Sequence, residues 1–163
     1  MPAEALDPRA GDVVIETVAL DSVLPLRARM LRAGRPVDVA RSPKDDAPQT
    51  QHLAAKTTDG RVVGVVTLVP RETPFARGRR AVQVRGMAVD EAVQRRRIGR
   101  LLMREAVRCA RERDAEVVWA NARDTALQFY ERVGFRVVGD GFVDDVMQLG
   151  HHVVLAGVDD IDA

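Results

Sequence analysis

MAVDEAVQRRRIG, Met87 to Gly99, carries the chain from an apolar strand into a helix. Residues 81–89 read as the strand. Beyond the turn, Ile98, Leu101, Leu102, Ala106 and Cys109 recur at helical spacing, with Arg100, Arg104, Arg108 and Arg111 among the solvent positions, so a helix is expected over 98–113. The turn between them holds Arg95, Arg96 and Arg97 and closes on Gly99. Such a junction aims several backbone N–H groups, and the positive end of a helix, at one spot. A phosphorylated ligand is held that way. Val117–Ala120 supplies the next strand, so 81–120 forms a β-α-β unit with parallel strands and a right-handed crossover. Ligands of such sheets gather at the carboxyl ends of parallel strands, where the turn Gln94–Gly99 lies.

Outward from this unit the pattern stays regular. Residues 1–11 are rich in Pro, Ala and Asp and are expected to be loose. Val13–Ala19 reads as a strand. Asp21 or Ser22 can cap a helix carrying Leu24, Leu26, Met30 and Leu31, with Pro25 best placed in its first turn. Residues 33–50 hold Gly34, Pro36, Pro43 and Pro48; so long a connection is usually functional or mobile. His52–Thr57 and Arg61–Val69 form a hairpin through Asp59-Gly60. Thr125–Gln128 resembles a capping box. It precedes a helix with Ala126, Phe129, Tyr130 and Val133 on one side, which Gly134 ends. Phe135–Val138 and His152–Ala156 are the last strands, with an acidic, glycine-containing connection between them. The order is β-α-β-β-β-α-β-α-β-β, an α+β or mixed α/β fold around one sheet. The domain is expected to span 12–158, followed by an acidic tail, 159–163.

Composition narrows the function. A chain of 163 residues with net charge +1 is one domain and no basic nucleic-acid coat. From Arg71 to Arg113 there are 13 arginines against 5 acidic residues. A solvated, arginine-rich surface explains most of them in a chain whose only lysines are Lys44 and Lys56. A local field that draws in an anion is the functional alternative. A nucleic-acid site is not expected, because interleaved aromatics are lacking. The lone Cys109 excludes an intrachain disulfide, and with no His/Cys cluster no metal is expected. No apolar run approaches the ~18 residues of a membrane span, and no signal pattern opens the chain, so a cytoplasmic protein with no membrane partner is expected. A homodimer remains open.

Three segments resemble the GCN5-related N-acetyltransferase (GNAT) family. Arg85-Gly-Met-Ala-Val89 followed by Gln94-Arg-Arg-Arg-Ile-Gly99 is similar to its acetyl-CoA signature, Gln/Arg-x-x-Gly-x-Gly/Ala. Asn121 follows the next strand. Ala126-Leu-Gln-Phe-Tyr-Glu-Arg-Val-Gly-Phe135 is similar to its helix-to-strand segment. Arg97 departs from the pattern, standing where the family usually has its first glycine. Were that position left-handed, a side chain would cost about 1–2 kcal/mol. The backbone N–H would survive, and Arg97 could add a charge-assisted contact.

The resemblance implies an acyl-CoA N-acyltransferase fold. Its single mixed, mostly antiparallel sheet would be splayed between two parallel strands. It also implies transfer of an acetyl group from acetyl-CoA to a primary amine of a small molecule or peptide. Backbone N–H groups of Arg95, Arg97, Ile98, Gly99 and Arg100 would face the pyrophosphate. Gln94, Phe129 and the Asn121 amide would join the cofactor site, and the backbone of Met87 and Val89 would pair with the pantetheine arm. The N–H of Met87 or Ala88 would polarise the thioester carbonyl. Tyr130, the only tyrosine, would give a proton to the leaving thiolate.

The base is open. Many family members place a glutamate on strand 81–89, which here offers Gln83 and Arg85; His52, His152, Asp144 and Asp145 are alternatives. Arg27, Arg32, Arg35 and Arg85 can meet an anionic acceptor, and His152, with His151, opens a strand bordering the acceptor side. A non-catalytic acyl-CoA-binding module of the same fold is the alternative function.

Overall fold

The computed structural model describes residues 13–94 and 97–161. Ten elements follow the expected order: β1 (Val13–Val18), α1 (Leu20–Leu31), β2 (Gln51–Thr57), β3 (Val62–Pro70), β4 (Ala81–Val89), α2 (Ile98–Glu112), β5 (Val117–Arg123), α3 (Leu127–Arg132), β6 (Arg136–Val143) and β7 (Gly150–Gly157). The loose N-terminus expected over 1–11 lies outside the described residues. In the expected tail, Ile161 is buried against the main core.

One seven-stranded sheet runs β1-β2-β3-β4-β5-β7-β6. Every neighbouring pair is antiparallel except β4 and β5, which are parallel. Strand alternation divides the side chains between the faces. Leu53, Val66, Leu68, Val82 and Val84 meet Ile98, Leu102, Met103 and Ala106 of α2 on one face. Ala54, Val65 and Ala88 meet Val23 and Leu26 of α1 on the other. Cys109 is buried in the α2-side core.

Two irregularities shape the sheet where it matters. β4 pairs with β5 only through Ala81–Val117, Val82–Val118 and Gln83–Trp119, although β4 continues to Val89 and β5 to Arg123. The two strands part there and leave a wedge. On its other side β4 slips register against β3 between Val65 and Thr67. Gly86 takes up the slip at φ +60°, where a Cβ would sit 2.5 Å from Nε of Arg27. Only glycine fits both the backbone angle and that contact.

Several expected boundaries move. α1 begins at Leu20 behind Ala19, with no side-chain cap, so Asp21 and Ser22 lie inside its first turn. Pro25 sits one turn deeper than expected. Thr125 caps nothing; Asp124–Ala126 is a 3₁₀ turn leading into α3. β6 runs on to Val143, through the acidic connection, by an irregularity between Val138 and Phe142. There Gly139 is left-handed. Asp144 then closes the turn, its carboxylate accepting from the N–H groups of Val146, Met147 and Leu149.

Candidate active site

Helix α2 starts bare. Its N-cap is Arg97, left-handed at φ +64°, ψ +12°, with no capping side chain and no acidic residue in the first turn. The first helical bond runs from Leu101 N–H to Arg97 O. The N–H groups of Ile98, Gly99 and Arg100 therefore precede the ladder, and no acidic side chain of the first turn offsets the helix dipole. Gly99 lies under Phe129: a Cβ there would be 3.3 Å from the ring. Gln94 donates from Nε2 to Val89 O (3.1 Å), tying the turn back to β4. Arg95 lies outside the described residues.

A cavity of about 640 Å³ opens over this turn, lined by Met87, Ala88, Val89, Gln94, Arg97, Ile98, Gly99, Arg100, Phe129 and Tyr130, among others. A second cavity, about 220 Å³, lies on the α1 side of the wedge. Its lining includes Arg27, Arg32, Arg85, Arg123, Asn121, Tyr130 and His151. Met87, Ala126 and Tyr130 line both. The wedge between β4 and β5 thus joins a hollow facing a bare helix N-terminus to a hollow walled by arginines.

Tyr130 sits where the two meet. It is 6 % exposed, edge-on to Phe129 and Phe135 at 5.3 and 5.2 Å. Burial pushes its phenol up to about 12, so it keeps its proton throughout the neutral range.

The arginine wall is built on a buried network. Arg27, 3 % exposed, donates from Nη1 to Ala40 O (3.2 Å) and Asp45 (2.8 Å), and from Nη2 to Thr67 Oγ1. Arg85 reaches the same carboxylate at 3.1 Å and also donates to Pro43 O. Burial alone would raise the Asp45 carboxyl. Hydrogen bonds from Arg27, the Ser42 N–H and Arg85 outweigh it and hold the group below its ordinary value. His52 joins through Nδ1 to Thr67 Oγ1 (2.7 Å) and Nε2 to Asp45 O (3.1 Å). A carbonyl can only accept, so Nε2 carries the proton, and Nδ1 accepts from the threonine hydroxyl. Burial pushes this imidazole down.

The structure sorts the sequence candidates. Met87, Ala88, Val89, Gln94, Arg97, Ile98, Gly99, Arg100 and Phe129 gather at the larger cavity. Asn121 does not join them. On β5 it lines the arginine-walled cavity instead, because it shares a strand face with Arg123. Arg27, Arg32 and Arg85 line that cavity too, whereas Arg35 is exposed outside it. His152 is displaced by one residue of strand parity. It turns to the opposite face and bonds Asp124 at 2.6 Å, leaving His151 as the histidine of the cavity. His52 is committed to the network and Asp144 to its turn. Arg123 and Asp45 went unnoticed in the sequence. Period-two spacing from Asn121 would have found the first; no local signal marks the second.

A family model described as Acetyltransferase (GNAT) family matches residues 20–135. The uncharacterized N-acetyltransferase YitI of Bacillus subtilis (strain 168) is 26% identical over 141 residues, 86% of this chain and 93% of YitI. FeeM, an N-acyl amino acid synthase from uncultured soil microbes, superposes with a TM-score of 0.76 at 12% identity, over 90% of this chain and 91% of its own. An aminoglycoside 6'-N-acetyltransferase complexed with coenzyme A gives 0.66 at 13% identity, over 89% and 97%. At such identities these two structures speak for the fold alone. The family match spans most of the chain: the protein belongs to the GNAT family, whose members use acyl-CoA, and is an N-acetyltransferase.

Proposed function

We propose that the enzyme moves the acetyl group of acetyl-CoA to a primary amine of a small molecule by direct attack. The observation that carries this reading is the wedge at Met87 and Tyr130, where the two cavities meet. The larger one fits a phosphorylated cofactor. Its floor is Gly99, where a side chain would fill the space under Phe129, and its wall is a helix turn whose first N–H groups precede the helical ladder. The smaller one, at about 220 Å³, suits a small acceptor rather than a folded one.

Bound acetyl-CoA would supply the activated thioester; the chain supplies position and protons. The N–H groups of Ile98, Gly99 and Arg100 would hold phosphate oxygens, with Gln94 and Arg97 also lining the cavity. Beyond Gln83, β4 has no partner on its β5 side; Ala88 is paired with Val65 of β3 on the other, so the Met87 N–H is the one that can donate to a carbonyl oxygen in the wedge. Tyr130 would give its phenolic proton to the departing thiolate, and the phenolate would be reprotonated from solvent as His151 releases the proton taken from the amine.

The attacking amine must first lose a proton. His151 lines the acceptor cavity, and its Nδ1 donates to Leu149 O at 2.8 Å. That bond fixes the tautomer and leaves the Nε2 lone pair to accept. The lone, buried Cys109 agrees with a reducing compartment, and the cytoplasm is the proposed setting.

Tyr130→Phe removes one oxygen and keeps the ring contacts. Turnover, followed by thiol release, is expected to fall about 10²- to 10⁴-fold while acetyl-CoA affinity by calorimetry stays within a factor of about two. Unchanged turnover would remove Tyr130 from the proton path. His151→Gln is expected to lower turnover likewise, without touching cofactor binding.

A further inference from the structure

From the charges around the smaller cavity we infer that the acceptor is a small primary amine carrying its own anionic group, a carboxylate or a phosphate. The inference rests on the acetyltransferase reading above and concerns only the second substrate. Four guanidinium groups line the cavity: Arg27, Arg32, Arg85 and Arg123. Asp45 is the one carboxylate within ion-pair distance of any of them among the described residues, and it is shared by Arg27 and Arg85. Among the described residues Arg32 and Arg123 hydrogen-bond only to the carbonyl oxygen of Leu31, at 3.0 and 2.6 Å; Asp144 acts on Arg32 from further away.

The wall is also short of acceptors. Nε of Arg27, Arg32 and Arg85 is buried with no hydrogen-bond partner. Each is an orphaned donor of a charged group, costly to leave unmatched, and marks how few acceptors stand behind the wall. The positive field shows in the arginines themselves. Burial first, then Arg123 and other neighbours, pushes the Arg32 guanidinium down. Burial does the same to Arg85, with Arg27 and Arg71 adding to it against the pull of Asp45.

Planar guanidinium forks suit carboxylate and phosphate oxygens, which they grip in pairs. The same field repels a second cation. It disfavours polyamines and multiply charged amino sugars. One arrangement thus favours an anionic acceptor and selects against a polycationic one.

The test is a thiol-release assay over matched amines: L-methionine and L-glutamate against their α-amides, O-phosphoethanolamine against ethanolamine, and spermidine as the cationic arm. Acetyl-CoA binding is measured by calorimetry alongside. The expected result is a kcat/KM roughly 10- to 100-fold higher for the anionic member of at least one pair. Which pair responds tells carboxylate from phosphate. In Arg32→Gln and Arg123→Gln that gap should shrink about tenfold through KM, with cofactor affinity unchanged.

Where turnover is too slow to compare, the same amines are ranked by thermal stabilisation of the enzyme saturated with coenzyme A. Amides, ethanolamine or spermidine performing as well as the anionic amines in either readout would overturn the inference and leave the acetyltransferase reading standing. A failure to bind acetyl-CoA at all would overturn both.

Discussion

At Arg97 the backbone adopts the left-handed conformation that crowds Cβ against the following carbonyl, at about 1–2 kcal/mol for a residue with a side chain. Glycine would escape that cost but surrender more unfolded-state freedom, about 0.5–1 kcal/mol. The balance predicts that Arg97→Gly stabilises the fold by about 1 kcal/mol, raising Tm by roughly 2–4 °C for a chain of this size. A fall in Tm would show that the arginine side chain holds the turn through contacts that outweigh its strain. The sequence displayed the departure from the glycine pattern, but not the angle that gives it a cost. The final strand has the same limit. His151 and His152 were both visible, and only the pairing of β7 with β5, Ala122 opposite His152, decides which faces the acceptor cavity. Strand parity depends on register with a distant segment, which a local pattern does not contain.

Among the elements, the connection 33–50 hides most of its structure from the sequence. Its prolines and few apolar residues pointed to function or mobility. It is pinned by one buried carboxylate, Asp45, whose partners Arg27 and Arg85 come from α1 and β4, and its Ala40 and Ser42 line the smaller cavity, as a functional connection would. Those partners lie 18 and 40 residues away, so no window of sequence could have shown the bond. Asp45→Asn keeps the shape and removes the charge that two buried guanidinium groups share. It is expected to cost about 3–5 kcal/mol, read by urea unfolding at neutral pH. A loss under about 1 kcal/mol would mean that the arginines find solvent instead.

The network also sets an acid sensitivity. The His52 imidazole is held below its ordinary value in the fold. Below about pH 6.5 the unfolded chain therefore takes up a proton that the folded chain resists. Stability should fall as pH drops from about 6.5 toward the lower folded value. Asp45, held low as well, adds a second loss only below about pH 4, where the unfolded carboxyl begins to protonate first. The fall in Tm between pH 7.5 and 5 should be shallower in His52→Gln than in the wild type; parallel curves would place the sensitivity elsewhere.

Over the whole molecule, the order of elements, the parallel β4–β5 pair and the α2 crossover were legible because each rests on local periodicity and a short turn. The wedge was implied by resemblance and not by any residue count, since it arises where β4 and β5 stop pairing after three residues on each strand. That opening leaves strand backbone without a ladder on both sides of the site, so a ligand filling it should act as a missing strand. At a concentration 100 times its Kd, acetyl-CoA would add about 2.7 kcal/mol of stability. At roughly 2–4 °C per kcal/mol for a domain of this length, Tm should rise by about 5–11 °C. Hydrogen exchange locates the effect. Amides at 84–89 on β4, 120–123 on β5 and the first turn of α2 should slow, while the β1–β2 edge, across the sheet from the wedge, should change only as global stability changes. Slowing centred on that edge, with β4 and β5 unaffected, would place the cofactor away from the wedge and undo the assignment of both cavities.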